Sequence, residues 1–207
     1  SLTLGLPPAI TAATGIDAMV HAIEAYTSVH LKNPLSDILA QQALALLSQN
    51  LVSVCRNGQD LAARQAMLLG ATLAGQAYSN APVAAVHALA YPIGGMFHVP
   101  HGLSNALVLP HVLRFNLGHA APLYAQLAAI VAPHATGSEE ARAQALIDAM
   151  QELAAQTGIV RTLREVGIAE SDLDNLAEAA MLQTRLLGNN PRTVTVEDAR
   201  AIYAAAW

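Results

Sequence analysis

An all-α fold is what this sequence predicts, and three observations carry the prediction. Apolar residues make up 54% of the 207 positions and aromatic ones only 4%, so the core must be filled by Ala, Leu, Val and Ile, the side chains of closely packed helices. Helix-start signals recur along the whole chain, each followed by apolar residues at helical spacing. Alternating apolar and polar runs rich in β-branched residues, which would mark strands, do not occur. The length fits one helical unit over residues 1–207, with an N-terminal catalytic part and a C-terminal bundle.

The elements follow in order. A first helix covers residues 15–26, where Thr14 and Asp17 also fit a capping box at its start. Asn33 and Pro34 are a cap and first-turn pair for a second helix through Leu39, Ala43, Leu46 and Leu47, stopped by Gly58. Asp60 opens the third. Pro92, Gly94 and Gly95 are expected to break or end the helix that carries His87, and Pro100 to be the first residue of the helix that carries His101. Ser138, Ser171 and Thr195 each precede acidic residues and mark three further starts, with carboxylates at the positive end of the helix dipole. Gly188, Asn189, Asn190 and Pro191 form a turn before the last helix.

Composition also excludes several functions. The formal charge is −5, and no Lys or Arg run or basic-aromatic interleaving exists to track nucleic acid. The single cysteine, Cys55, rules out an internal disulfide framework and reads as an inert, small apolar residue in a reducing compartment. No uninterrupted apolar run of about 18 residues predicts a membrane span, and no secretion signal stands at the N-terminus, so a cytoplasmic location is expected. The chain starts at Ser1, directly before a Pro-containing segment, which reads as a cut from a longer protein whose other domain is missing.

Residues 81–111 concentrate His, Pro and Gly, and the chemistry is expected there and in the first helix. Asp17 and His21 stand four apart, on one helix face with Cβ atoms about 5–6 Å from each other, close enough to share one ion. Alone, the pair reads more readily as a cap and a hydrogen-bonded helix residue. A bend between His87 and His101 would bring the second pair together, so that one carboxylate and three imidazoles enclose a divalent ion of borderline character, Fe(II) or Zn(II).

Three stretches, GIDAMVHAIEAYTS, VHALAYPIGG and VPHGLSNALVLPHVLRFN, resemble in order the metal-binding motifs of the iron-containing, group III alcohol dehydrogenases. The opening TLGLPPAITAATG and the late NNPR are also similar to that family, so the resemblance covers essentially the whole chain. It implies a multi-helix bundle like the C-terminal domain of dehydroquinate synthase, and metal ligation by Asp17, His21, His87 and His101. It further implies that an N-terminal α/β domain completes a cleft for NAD or NADP, with Thr11 and Thr14 as cofactor-side contacts, and a homo-oligomeric assembly. An alcohol or aldehyde would be the substrate, its oxygen activated by Lewis acidity as hydride passes to or from the nicotinamide.

One position departs from the family: Tyr91 stands where many members carry a histidine near the nicotinamide, as a cleft-wall residue or a hydrogen-bond donor, its phenol being less suited than imidazole to shuttle protons at neutral pH. His98 stands where many members have Asn, lining the pocket or facing water. His111 is expected to serve helix packing or capping, and His30, His119 and His134 to lie at the surface in turns or helix ends. Gly94 and Gly95 are too little for a dinucleotide fingerprint. Within the same superfamily, glycerol dehydrogenase-like and maleylacetate reductase-like specificities are the near variants. A helical metallohydrolase would need a general base, for which Glu24 is read as lying on a different helical face from His21. A non-catalytic interaction module would hold no metal and expose an apolar stripe.

Overall fold

A computed structural model describes residues 2–207. Nine α-helices and two short 3₁₀ turns make up the regular structure, and no strand occurs among the described residues. The helices are α1 (Pro8–Thr27), α2 (Pro34–Arg56), α3 (Leu61–Asn80), α4 (Ala85–Phe97), α5 (His101–Val131), α6 (Glu139–Thr157), α7 (Leu173–Met181), α8 (Thr184–Leu187) and α9 (Val196–Ala206).

Helix α1 is the hub. It packs on α2, α3 and α5, while α6 lies along α5, α7 covers α4, and α9 packs on α7 and α5. Most of its side chains are buried, among them Ile16, Met19, Val20 and Ile23, so it is apolar nearly all round, as a central helix must be. One continuous core joins these residues to Leu44, Leu47 and Leu51 of α2, Leu89 and Ile93 of α4, and Leu107, Leu109 and Leu113 of α5. Tyr203 of α9 is fully buried and its hydroxyl donates to the Leu89 carbonyl at 2.6 Å, tying the last helix to α4. Helix α2 is long and apolar enough to cross a bilayer by composition. Its buried stripe of Ala40, Ala43, Leu44, Leu47, Leu51 and Val54 is instead spent on the core.

Several expected caps are present. The Asn33 side chain accepts from Ser36 N, Asp60 from Ala63 N, and Ser138 from Ala141 N; Thr195 and Asp198 form a full capping box. Four expectations are corrected. Helix α1 begins at Pro8 rather than near Gly15, so Thr14 is no cap; its hydroxyl bonds back to the Ile10 carbonyl at 2.8 Å, and Asp17 sits in mid-helix. Ser171 starts no α-helix: residues 170–172 form a 3₁₀ turn, with Asp172 accepting from Ala169 N, and α7 follows.

The third correction concerns Pro92, Gly94 and Gly95, which do not end α4. The helix runs through them to Phe97, since proline removes only one hydrogen bond and the buried packing around Pro92 and Ile93 supports the rest. Because α4 begins at Ala85, His87 lies in its first turn. The chain reverses at His98, which has φ 56° and ψ 24° and donates its N–H to the Gly94 carbonyl. Among the described residues it is the only non-glycine with positive φ, and it is exposed. Asn and Gly tolerate this left-handed C-cap conformation better than His does. The fourth correction is His119, which lies exposed in the interior of α5, a helix of 31 residues, rather than in a turn or at a helix end; His111, expected to pack or cap, is partly buried in the same helix. His30 and His134 do lie in exposed turns.

Candidate metal centre

Four side chains from three helices converge. Asp17 and His21 project from the middle of α1, His87 from the first turn of α4, and His101 begins α5. One donor atom each from Asp17, His21 and His87 falls within 4.8 Å of the others. His87 Nε2 is 3.1 Å from His21 Nε2 and 3.7 Å from Asp17 Oδ1; His101 Nε2 is 3.6 Å from the same Oδ1. Exposure grades outward, from 2% at His87 through 18% and 19% at Asp17 and His21 to 47% at His101, so the cluster has a closed floor and an open mouth.

The orientation of each ring is set by its other nitrogen. His21 Nδ1 is 2.9 Å from the Asp17 backbone carbonyl, an oxygen that can only accept, so the proton resides on Nδ1. His87 Nδ1 is 2.7 Å from Glu24 Oε2 and donates to that carboxylate. Both Nε2 atoms therefore present lone pairs, and they face each other across 3.1 Å. Burial first, and then the neighbouring His87 ring, holds His21 below its ordinary basicity, against the opposing pull of Asp17, which keeps this ring an acceptor. Two opposed lone pairs beside a carboxylate are unfavourable unless a cation lies among them. The donor set of nitrogen and oxygen atoms fits a divalent transition metal.

The site includes residues that spacing did not reveal. Glu24, on α1, is 4% exposed, and its carboxylate accepts from both Val86 N at 2.6 Å and His87 Nδ1. The expectation that Glu24 faces away from the histidines is thus corrected: at i+3 from His21 it is on the same side of the helix, one turn deeper. With both oxygens engaged behind His87, it is no general base toward the open mouth. Asn105, fully buried on α5, donates from Nδ2 to Asp17 Oδ1 at 2.5 Å and sits 3.2 Å from His101 Nε2. Its Oδ1 has no partner. The Tyr78 ring of α3 lies on His21, with centroids 4.5 Å apart.

Tyr91 is half-exposed at the mouth, its ring 5.8 Å from that of His101 and 6.4 Å from that of His87. Thr14 and Asp17 line, with Ile10, Ala13, Pro100 and His101, a mostly apolar cavity of about 500 Å³ beside the cluster. Thr11 is separated from it: its hydroxyl is buried and accepts from Arg64 at 2.8 Å. The Asn189–Asn190 turn holds the frame from outside, with Asn189 donating to the Val83 carbonyl just before α4 and Asn190 paired with Asn116 of α5. His111 is partly buried against α6 residues, away from the cluster, and Cys55 is half-buried with its thiol pushed up by burial.

Comparison with known proteins identifies the family and the fold. The Fe-containing alcohol dehydrogenase family, C-terminal, matches residues 11–207. The long-chain-alcohol dehydrogenase 1 of Geobacillus thermodenitrificans is 43% identical over all 207 residues, which correspond to 52% of that protein. A crystal structure of 1,3-propanediol oxidoreductase superposes with a TM-score of 0.95 at 39% identity, over 99% of this chain and 53% of the other. An alcohol dehydrogenase from Oenococcus oeni gives 0.94 at 37% identity, over 100% and 54%. The chain spans about half the length of the relatives it matches. It belongs to the Fe-containing alcohol dehydrogenase family and corresponds to the C-terminal, all-helical part of its members.

Proposed function

We propose that this chain is the metal-holding half of an NAD(P)-dependent alcohol dehydrogenase, with Asp17, His21, His87 and His101 as the ligands. The observation that supports the reading best is the pair of Nε2 atoms facing each other at 3.1 Å beside the Asp17 carboxylate. A divalent ion bound there, Fe(II) or Zn(II), supplies Lewis acidity toward an alcohol or carbonyl oxygen.

The chain's own residues do the rest. Glu24 and the Asp17 carbonyl orient two imidazoles, Asn105 holds the Asp17 carboxylate, and the buried floor of the site keeps water off the inner face. The open side at His101 leaves room for a substrate oxygen, and the apolar cavity along Ile10, Ala13 and Leu103 takes carbon from the substrate or the nicotinamide, with Thr14 as its polar contact. Tyr91 forms the wall of the mouth and can donate a hydrogen bond from its phenol. NAD or NADP binds between this domain and an α/β domain carried by the longer polypeptide, and the substrate is a small alcohol or aldehyde.

The test is nicotinamide-coupled oxidation of short alcohols and diols by the polypeptide that includes the nucleotide-binding half, with and without metal. Activity that is lost on chelation, returns with Fe(II) or Zn(II), and falls by about a thousandfold or more in Asp17→Asn or His87→Ala supports the reading. Activity indifferent to chelation and to both substitutions overturns it.

A further inference from the structure

Ala84 is the N-cap residue of α4, and its own side chain caps nothing. The free N–H of Val86, in the first turn, is instead satisfied from another helix by Glu24 Oε1 at 2.6 Å, while Glu24 Oε2 accepts from the next residue, His87, at Nδ1. One carboxylate 4% exposed thus starts the helix and fixes its first functional side chain. Negative charge is favoured at that position by the α4 dipole.

We infer that Glu24 is a positioning residue that locks His87 in the Nδ1–H tautomer, so that its Nε2 lone pair faces Asp17 and His21. The argument is one of hydrogen-bond inventory. Both partners of Glu24 are donors, and only a carboxylate accepts from both. A glutamine offers one acceptor and one donor. Backbone N–H of Val86 cannot change its role, whereas an imidazole can, so in Glu24→Gln the amide oxygen stays on Val86 and the amide NH₂ donates to His87 Nδ1. That forces His87 to carry its proton on Nε2, 3.1 Å from the His21 Nε2 lone pair, where it makes a hydrogen bond in place of a repulsion. The substitution therefore removes a metal-facing lone pair while relieving the metal-free site.

This inference rests on the metal reading above for its consequence and not for its test. In the metal-free chain at pH 8, imidazole ¹⁵N spectra assign the tautomer of His87 directly, and Zn²⁺ is then titrated against a competing chelator. The wild type is expected to show Nδ1–H, and E24Q to show Nε2–H, a metal-free melting temperature no lower than wild type, and zinc binding weakened 10–100-fold. A purely structural role for Glu24 would lower the melting temperature and leave the tautomer as it was. An Nε2–H tautomer in the wild type, which needs no variant to fold, overturns the inference, as does Nδ1–H in a folded E24Q. Failure of the wild type to bind zinc would instead count against the metal reading and leave the tautomer result standing.

Discussion

Gly102 brings α5 against the backbone of α1, and replacing it by alanine is a sensitive test of how that contact sets the candidate site. A Cβ at this position would meet the Ala13 carbonyl oxygen at 2.6 Å, its carbon at 2.8 Å and Thr14 N at 3.2 Å. All three are backbone atoms, so no rotamer change relieves the clash. Ordinary carbon–oxygen contacts lie at about 3.3–3.6 Å, so the helices must separate locally by roughly 0.7–1 Å. Overpacking of this kind costs about 1–3 kcal/mol, while the gain in helix propensity from Gly to Ala returns at most about 1 kcal/mol. His101 is the adjacent residue, and Asp17 is one turn beyond Ala13 on α1, so the same movement widens the 3.6 Å gap between them. Sites lose function when displaced by more than about 0.5 Å, and a zinc affinity at least tenfold weaker is expected. Chelator-competition titration and thermal unfolding of metal-free Gly102→Ala measure the two effects. A variant that melts with the wild type and binds zinc within twofold of it would refute the reasoning.

Two further outcomes follow from the same contacts. Asn105→Ala removes a hydrogen bond to the Asp17 carboxylate and leaves that oxygen without its donor, which should destabilise the metal-free protein by about 2 kcal/mol and weaken zinc at least tenfold; unchanged denaturant midpoints and affinity would contradict this. His111 is held down to about 4 from 6.5, by burial first and by Arg114 second. A depressed histidine favours the neutral form on folding, so its contribution is complete above pH 6.5 and is lost as pH falls toward 4. Allowing for its partial exposure, the wild type should lose about 1–2 kcal/mol more than His111→Gln between pH 7 and pH 4, and parallel unfolding curves for the two would exclude the assignment.

Local chemistry made most of the scaffold legible in the sequence. Asn33, Asp60, Ser138 and Thr195 satisfy free N–H groups within their own helix starts, a relation that spacing alone exposes. Pro92 misleads because the tertiary burial of α4 offsets the loss of a single backbone bond, which no local rule can weigh. The same division holds at the site. Asp17 and His21 declare themselves by i,i+4 spacing on one helix, and His87 and His101 by their motifs. Glu24 and Asn105 act across separations of 63 and 88 residues, where spacing carries no signal, and Tyr78 reaches His21 only because α3 packs on α1. The i+3 relation of Glu24 to His21 was the one local hint.

The central claim is that three imidazoles and one carboxylate of this chain hold a divalent ion. Elemental analysis after anaerobic purification and resupply of Fe(II) or Zn(II), with His87→Ala and His101→Ala alongside, tests it most directly. The account predicts near one metal per chain in the wild type and its loss in both variants. Metal-free wild type after resupply, or metal retained in both variants, would contradict it.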